Sequence, residues 1–433
     1  MKDITKFQAI VLGVLALSAV VATILFATAG KGDPNTQVGT GGTVQLWGTL
    51  NKRSVDTVLS VLMQENEGFS VKYTQIPEDQ FDRTLVESIA SGIGPDAIIL
   101  PNDLIIRQLD KVFILPYENF SERTFKDVFT EGSEIFFAGT GSVGLPIGVD
   151  PLVMYWNRDR FTNKGIIAPP RDWESFFSFA NNVTERNNGV ITAPAVAFGA
   201  YQNVHNAKAI LSMLMMQAGN PLETVGAGGI QATLDWDFGT KPIPAQAALV
   251  FYTDFSDPLK AIYSWNRSLP EDRDMFTRGD LALYFGTASE LPVIRAQNPN
   301  LNFDVAVVPQ PLAGSVKQTY GTFYTVVPLK SSKNINGAFT VMYTISSDRA
   351  AGLFTSYGLL QPVRRSILSV RPTDAFQGTF YDSAFIARSW RDPNPAQSNI
   401  VFQRLVEDVV TGRSSVGTAI SVAQDNLDAL YGN

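Results

Sequence analysis

Cysteine is absent from the 433 residues, and histidine occurs once, at His205. The first absence removes disulfides, thiolate nucleophiles and thiolate metal ligands. It also removes the N-terminal cysteine on which a bacterial lipid anchor is built. The second leaves a Ser-His-Asp set or a zinc site dependent on His205 alone. That residue sits in the polar stretch Tyr201-Gln-Asn-Val-His-Asn206 ahead of an apolar helix, where a structural or solvated role is expected. Charge is sparse as well: Asp, Glu, Lys and Arg make up 17% of the chain, with a net charge of −7. Nucleic acid would need a basic excess or stripe, and neither is present. No Gly-x-x-x-x-Gly-Lys-Ser/Thr loop occurs, so any ATPase partner must be a separate chain. No catalytic set, metal site or cofactor is expected.

Apolar residues account for 45% of the sequence, which fits a folded globular chain, and the length suggests two domains. Lys2 and Lys6 precede an apolar run over 9–29, long enough to span a bilayer as a helix. Ala27-Thr-Ala29 is a small-residue pattern at which a peptidase can cut, so 1–30 reads as a signal peptide or a retained anchor. In both cases the lysines stay inside and the rest is exported. Residues 31–42, rich in Gly, Asn and Thr, read as a flexible linker.

Beyond the linker, strand and helix patterns alternate. A short strand over 43–47 is followed by Val55, Val58, Leu59, Leu62 and Met63, one apolar face of a 3.6-residue period. A second strand is expected over 69–73 and a second helix over 81–90, ended by Gly92. Pro95-Asp96 introduces a third strand over 97–100. This alternation predicts a parallel sheet with helices on both sides. A new section opens near Gly144, with extended runs over 144–147 and 152–155 separated by Gly148-Val-Asp-Pro151. Asp172 is placed to cap a helix whose apolar face holds Trp173, Phe176, Phe177 and Ala180. Further helices are expected over 207–218, 401–410 and 416–430, and strands over 281–285, 303–308 and 323–328.

Eight phrases in order carry a resemblance. They are Ser91-Gly-Ile-Gly-Pro-Asp96, Gly144-Leu-Pro-Ile-Gly-Val-Asp150, Met154-Tyr-Trp-Asn157 and Pro170-Arg-Asp-Trp173. Phe276-Thr-Arg-Gly279, Asn298-Pro-Asn-Leu-Asn-Phe303, Gly358-Leu-Leu-Gln-Pro362 and Thr411-Gly-Arg413 complete them. In this order the chain resembles the bacterial extracellular solute-binding proteins of the sugar-binding class, relatives of maltose-binding protein. The resemblance implies an α/β type II periplasmic-binding-protein fold: two parallel-sheet lobes joined by hinge crossings, preceded here by the N-terminal apolar helix. It places 43–148 and 287–320 in the first lobe, 152–284 and 322–433 in the second, with crossings near 148–150, 285–286 and 320–321. It also implies a small-molecule ligand, a sugar first of all, delivered to the permease subunits of an ABC importer whose ATPase is a separate chain.

Ligands of open parallel sheets sit beyond the carboxyl ends of the strands. That rule selects Asn51 and Lys52 after the first strand and Asn102 and Asp103 after the third. The crossings supply Asp150, Thr287, Ser289 and Glu290. By position, Asn51, Lys52, Asp103 and Asp150 match polar ligand contacts of the maltose-binding relatives. Those relatives carry a tryptophan where this chain has Gly286-Thr-Ala-Ser-Glu290, which leaves the sugar's identity open. Sugar C–H faces stack on rings, making Tyr201, Trp265, Tyr320 and Trp390 candidates, with Tyr155 and Trp156 behind them. Arg364 follows Gln-Pro and joins the set. A secreted glycoside hydrolase is the rival from another class; it needs two carboxylates about 5–9 Å apart, a part open to Asp103 and Asp150. A ligand receptor for a membrane sensor is the third reading.

Overall fold

The computed structural model describes residues 42–226, 228–312 and 316–432. The expected N-terminal apolar helix and most of the linker lie outside them. Among the described residues no helix is long and apolar enough to cross a membrane. Thr43–Asn433 form one compact unit.

The chain begins with β1 (Val44–Gly48), α1 (Lys52–Glu65), β2 (Val71–Gln75), α2 (Glu78–Ala90) and β3 (Ala97–Pro101). Val55, Val58, Leu59 and Leu62 bury the predicted face of α1, and Asn51 caps it by accepting the Ser54 N–H. In α2, Phe81 and Leu85 are buried, and Gly92 follows the helix with a φ of +69°. β1 pairs in parallel with both β2 and β3, so the first three strands form the expected parallel unit.

The next strand departs from expectation. β4 (Leu145–Asn157) runs unbroken through Gly148-Val-Asp-Pro151. Its residues 145–151 pair with the strand Thr319–Pro328 and its residues 152–157 with the strands Leu283–Thr287 and Phe303–Ala306, so Pro151 falls where the neighbour changes. A proline is tolerated at such a point because its missing N–H costs no ladder bond. Gly148 is required by packing: a Cβ there would lie 2.7 Å from Leu360 Cβ.

After β4 come α3 (Trp173–Val183), α4 (Ala207–Gln217) and α5 (Pro244–Asp254), then β5 (Leu283–Thr287), β6 (Phe303–Ala306), β7 (Thr319–Pro328) and β8 (Ala387–Arg388). The helices α6 (Pro395–Val410) and α7 (Val416–Tyr431) close the chain. Asp172 caps α3 through Ser175 N–H, as predicted, but Phe177 is exposed, and Phe179 takes its place in the core. The main sheet has the order β5-β4-β7-β3-β1-β2, with β6 on β4 and β8 on β7. β4 is antiparallel to β5, β6 and β7, and β7 is antiparallel to β3. One continuous mixed sheet therefore replaces the two parallel sheets expected.

Two hydrophobic cores flank this sheet. One gathers buried residues from 44–149 and 323–363 with Ala384 and Ala387. The other gathers 152–320, Phe380 and residues from Trp390 to Leu427. The segments 287–320 and 323–363 therefore pack the opposite way from the sequence expectation, while residues from Trp390 to Leu427 do not. Leu291, Ile294, Val305 and Tyr320 join the second core, while Phe323, Val341 and Phe354 join the first. No change of core occurs at 285–286. The changes fall between Val149 and Leu152, between Tyr320 and Phe323, and between Ala387 and Trp390, and the helix Ala375–Ile386 touches both cores through Phe380 and Ala384. β7 is long enough to enter both cores, and it begins four residues ahead of the strand expected over 323–328.

Candidate functional site

A cleft of about 400 Å³ lies at the carboxyl ends of β2 and β3. Glu78 and Asp103 line it from the first core's side, Tyr201 and the start of α4 from the second, and Tyr320 and Thr322 from the strand that joins them. Pro395 and Asn399 complete it from α6. A larger groove of about 870 Å³ lies elsewhere, between β6, residues 168–171 and helix Ala375–Ile386. Its lining begins at Trp156, so it receives nothing from the ends of β1–β3. The strand-end rule favours the smaller cleft despite its volume.

Of the residues selected from sequence, Asp103, Tyr201 and Tyr320 meet in this cleft. Asp103 follows β3 in a short turn, and its Oδ1 is buried without a hydrogen-bond partner. Burial pushes its pKa up to about 7, helped by the charge of Glu78 and opposed by Lys208. Glu78 is raised as well, again by burial first, with Asp392 adding to the effect. Tyr201 donates its hydroxyl to Asn399 Oδ1 at 2.6 Å. Tyr324, next to the cleft on β7, has its hydroxyl pKa raised by burial and by Asp150, Asp103 and Glu78.

The other selected residues are placed differently. Asn51 and Lys52 do not line the cleft: Asn51 is a helix cap, and Lys52 pairs with Asp56 at 2.6 Å and the Tyr73 carbonyl at 3.2 Å. Asn102 is fully buried and ties the crossings together. Its Nδ2 donates to Ser389 Oγ at 2.9 Å and the Trp390 carbonyl at 3.0 Å, and its Oδ1 accepts the Phe323 N–H at 2.7 Å. Trp265 and Trp390 are core: both are about fully buried, with Trp265 Nε1 donating to Asn203 Oδ1 and Trp390 packed on Phe402. Tryptophan serves as core filler and as sugar platform with the same chemistry, so sequence alone does not separate the two. Thr287 and Glu290 close a capping box, and Glu290 also holds Asn206 and Tyr284. Arg364 pairs with Asp348, donates to the Ser346 carbonyl and lies over the Phe129 ring at 5.2 Å.

Asp150 spends both oxygens on Ser289, accepting its N–H at 2.9 Å and its hydroxyl at 2.6 Å. Burial raises it to about 6, opposed by those bonds. A carboxylate committed in this way is a poor partner for Asp103 in a glycosidase pair, which needs one acid free to give a proton and one free to attack.

Sequence reasoning passed over Glu78, Lys208 and Asn399, and set His205 aside. Glu78 was within reach of the strand-end rule, because Pro77-Glu78 directly follows β2. Lys208 and Asn399 stand on helices, where no strand end marks them. His205 lines the cleft, with Nδ1 3.1 Å from Glu271 Oε1 and Nε2 3.3 Å from Arg273 Nη1.

Solved structures share this fold. The cyclic α-maltosyl-1,6-maltose binding protein of Arthrobacter globiformis superposes with a TM-score of 0.73 at 16% identity, covering 90% of this chain and 99% of that one. The sugar-binding protein MalE of Xanthomonas citri gives 0.72 at 18% identity, covering 90% and 97%. A cyclo/maltodextrin-binding protein complexed with maltotetraose gives 0.72 at 14%, covering 91% and 98%. These likenesses establish the α/β periplasmic-binding-protein fold. In sequence, provisionally named binding proteins of Brucella abortus (strain 2308) and Brucella suis biovar 1 (strain 1330) are 23% identical over 305 residues, 70% of each chain. Residues 61–379 match the bacterial extracellular solute-binding protein family, and the chain belongs to that family.

Proposed function

We propose that this chain binds a sugar or oligosaccharide outside the cell and delivers it to an ABC importer, whose permease and ATPase are separate chains. The observation that carries this reading is a polar cleft, flanked by tyrosines, to which both cores contribute. Hydrogen-bonding groups beside rings are what a sugar's hydroxyls and C–H faces require. The sugars bound by the structural relatives support the same class. The two cores act as two lobes, 43–150 with 322–387 and 151–321 with 388–432, that hinge at β4, at β7 and near β8. Binding energy shared between lobes favours the closed form by the ligand's differential affinity for it. Residues 1–30 direct export and are either removed or kept as an anchor.

The test is a thermal-shift screen of the purified chain against mono- and oligosaccharides, amino acids and peptides. A ligand that binds only the folded state raises the melting temperature in a saturable way. Shifts with one group of sugars, and recovery of the sugar unchanged after prolonged incubation, are expected. A shift with amino acids or peptides and none with any sugar overturns the assignment.

A further inference from the structure

The charges lining the cleft do not balance from within the protein. Asp103 Oδ1 is buried and accepts nothing. The cation next to it is already used: Lys208 Nζ donates to Asp392 Oδ2 at 2.8 Å, to Ser398 Oγ at 3.1 Å and to the Pro395 carbonyl at 3.5 Å. An ammonium has three protons, so these three contacts exhaust it. His205 offers no help. A guanidinium only donates, so Nε2 facing Arg273 is an acceptor and Nδ1 donates to Glu271. Glu78 adds a second carboxylate on the same wall as Asp103. Among the described residues, no three His, Asp or Glu side chains are arranged to hold a metal ion. A buried carboxylate without a partner is costly, and removing that cost is worth most to a ligand that brings the missing charge. A neutral hydroxyl would supply one hydrogen bond to Asp103 but no charge, whereas a protonated amine also holds in its ionised form a carboxyl that burial otherwise pushes toward neutrality.

We propose that the solute carries a protonated amine and that this amine sits against Asp103, which makes the ligand an amino sugar; the inference rests on the sugar reading above. Tyr201 on the second core's side and Tyr320 on the joining strand line the same cleft and supply the rings that a sugar needs.

The test is calorimetric titration with three disaccharides of one skeleton, in α1→4 and β1→4 linkage: glucosamine-based, its N-acetylated form, and the plain glucose form. Spermidine serves as an amine without a sugar. The amine-bearing disaccharide should bind at least about ten-fold tighter than both neutral forms. The gap should close in Asp103→Asn, with the variant's melting temperature in the absence of ligand confirming that it folds. Equal binding of the three forms overturns the amine and leaves the sugar reading standing. A gap that persists in Asp103→Asn overturns the placement at Asp103. Spermidine binding with no disaccharide bound overturns the sugar reading and leaves the amine. No binding of the amine-bearing disaccharide in either linkage overturns the proposal.

Discussion

Asp103 and Asp392 are acids beside the same cleft, and their surroundings differ completely. Asp392 accepts Lys208 Nζ at 2.8 Å, Ser398 Oγ at 2.6 Å and the Asn394 N–H at 2.9 Å. Asp103 has a buried oxygen with no partner at all. Asp392 is thus internally satisfied and works as a fixed scaffold. Asp103 is left incomplete, and an incomplete polar group in a cleft is where a ligand gains most. A third acid, Asp272, lies between these extremes: it is fully buried and accepts only backbone N–H groups, those of His205 and Arg273.

The contrast predicts opposite outcomes for like substitutions. Trp265→Ala empties a fully buried site and should cost about 3–5 kcal/mol of stability in urea unfolding. The remaining folded protein should bind its sugar with unchanged affinity, because the ring does not reach the cleft. Asp392→Ala breaks a buried ion pair, strands Lys208 and should cost about 3 kcal/mol. Asp103→Ala should leave unfolding unchanged or raise stability while weakening ligand binding. If Asp103→Ala instead destabilises the protein as much as Asp392→Ala, the two acids have the same structural role and the comparison fails.

The effect at Asp272 shows as pH dependence. Burial raises its pKa from the ordinary 3.8 to about 8, against the pull of the His205 and Arg273 N–H groups. The folded-state value lies above the unfolded one, so the native chain holds a proton that the unfolded chain has lost. The stability this provides is fully present below pH 4 and declines as pH rises through the window from 4 to 8. Unfolding measured at pH 5 and pH 8 should show that decline, and Asp272→Asn should flatten it. A steeper decline in the variant would contradict the assignment. At the small end, Asn51→Ala removes a helix cap and should cost about 1 kcal/mol with no change in affinity, which titration alongside unfolding checks.

Much of the fold was legible because it rests on local patterns. The spacing of Val55, Val58, Leu59 and Leu62 fixes the face of α1, and Asp172 marks the start of α3. What local patterns do not carry is pairing. Gly148 and Pro151 read as a break in β4, yet the strand continues, since Gly148 answers to Leu360 and Pro151 to a change of neighbour. The assignment of 287–320 to a core depends on contacts more than a hundred residues apart, such as Tyr155 with Thr287 and Leu152 with Thr319, and the sequence expectation reversed it. In the cleft, the strand-end rule reached Asp103, and the same rule also chose Asn51, whose side chain is spent on capping. Lys208, Asp392 and Asn399 come together only when α4 meets the segment leading into α6, and no spacing announces that meeting.

The central claim is that the solute lies in the cleft at the ends of β2 and β3. A crystal structure of the chain with a sugar identified by the thermal-shift screen tests it most directly. The account predicts the sugar between Asp103 on one side and Tyr201 on the other, with a hydrogen bond to Asp103 Oδ1. A sugar seated instead in the 870 Å³ groove, against Arg171 and Tyr381, with the cleft empty, would contradict it.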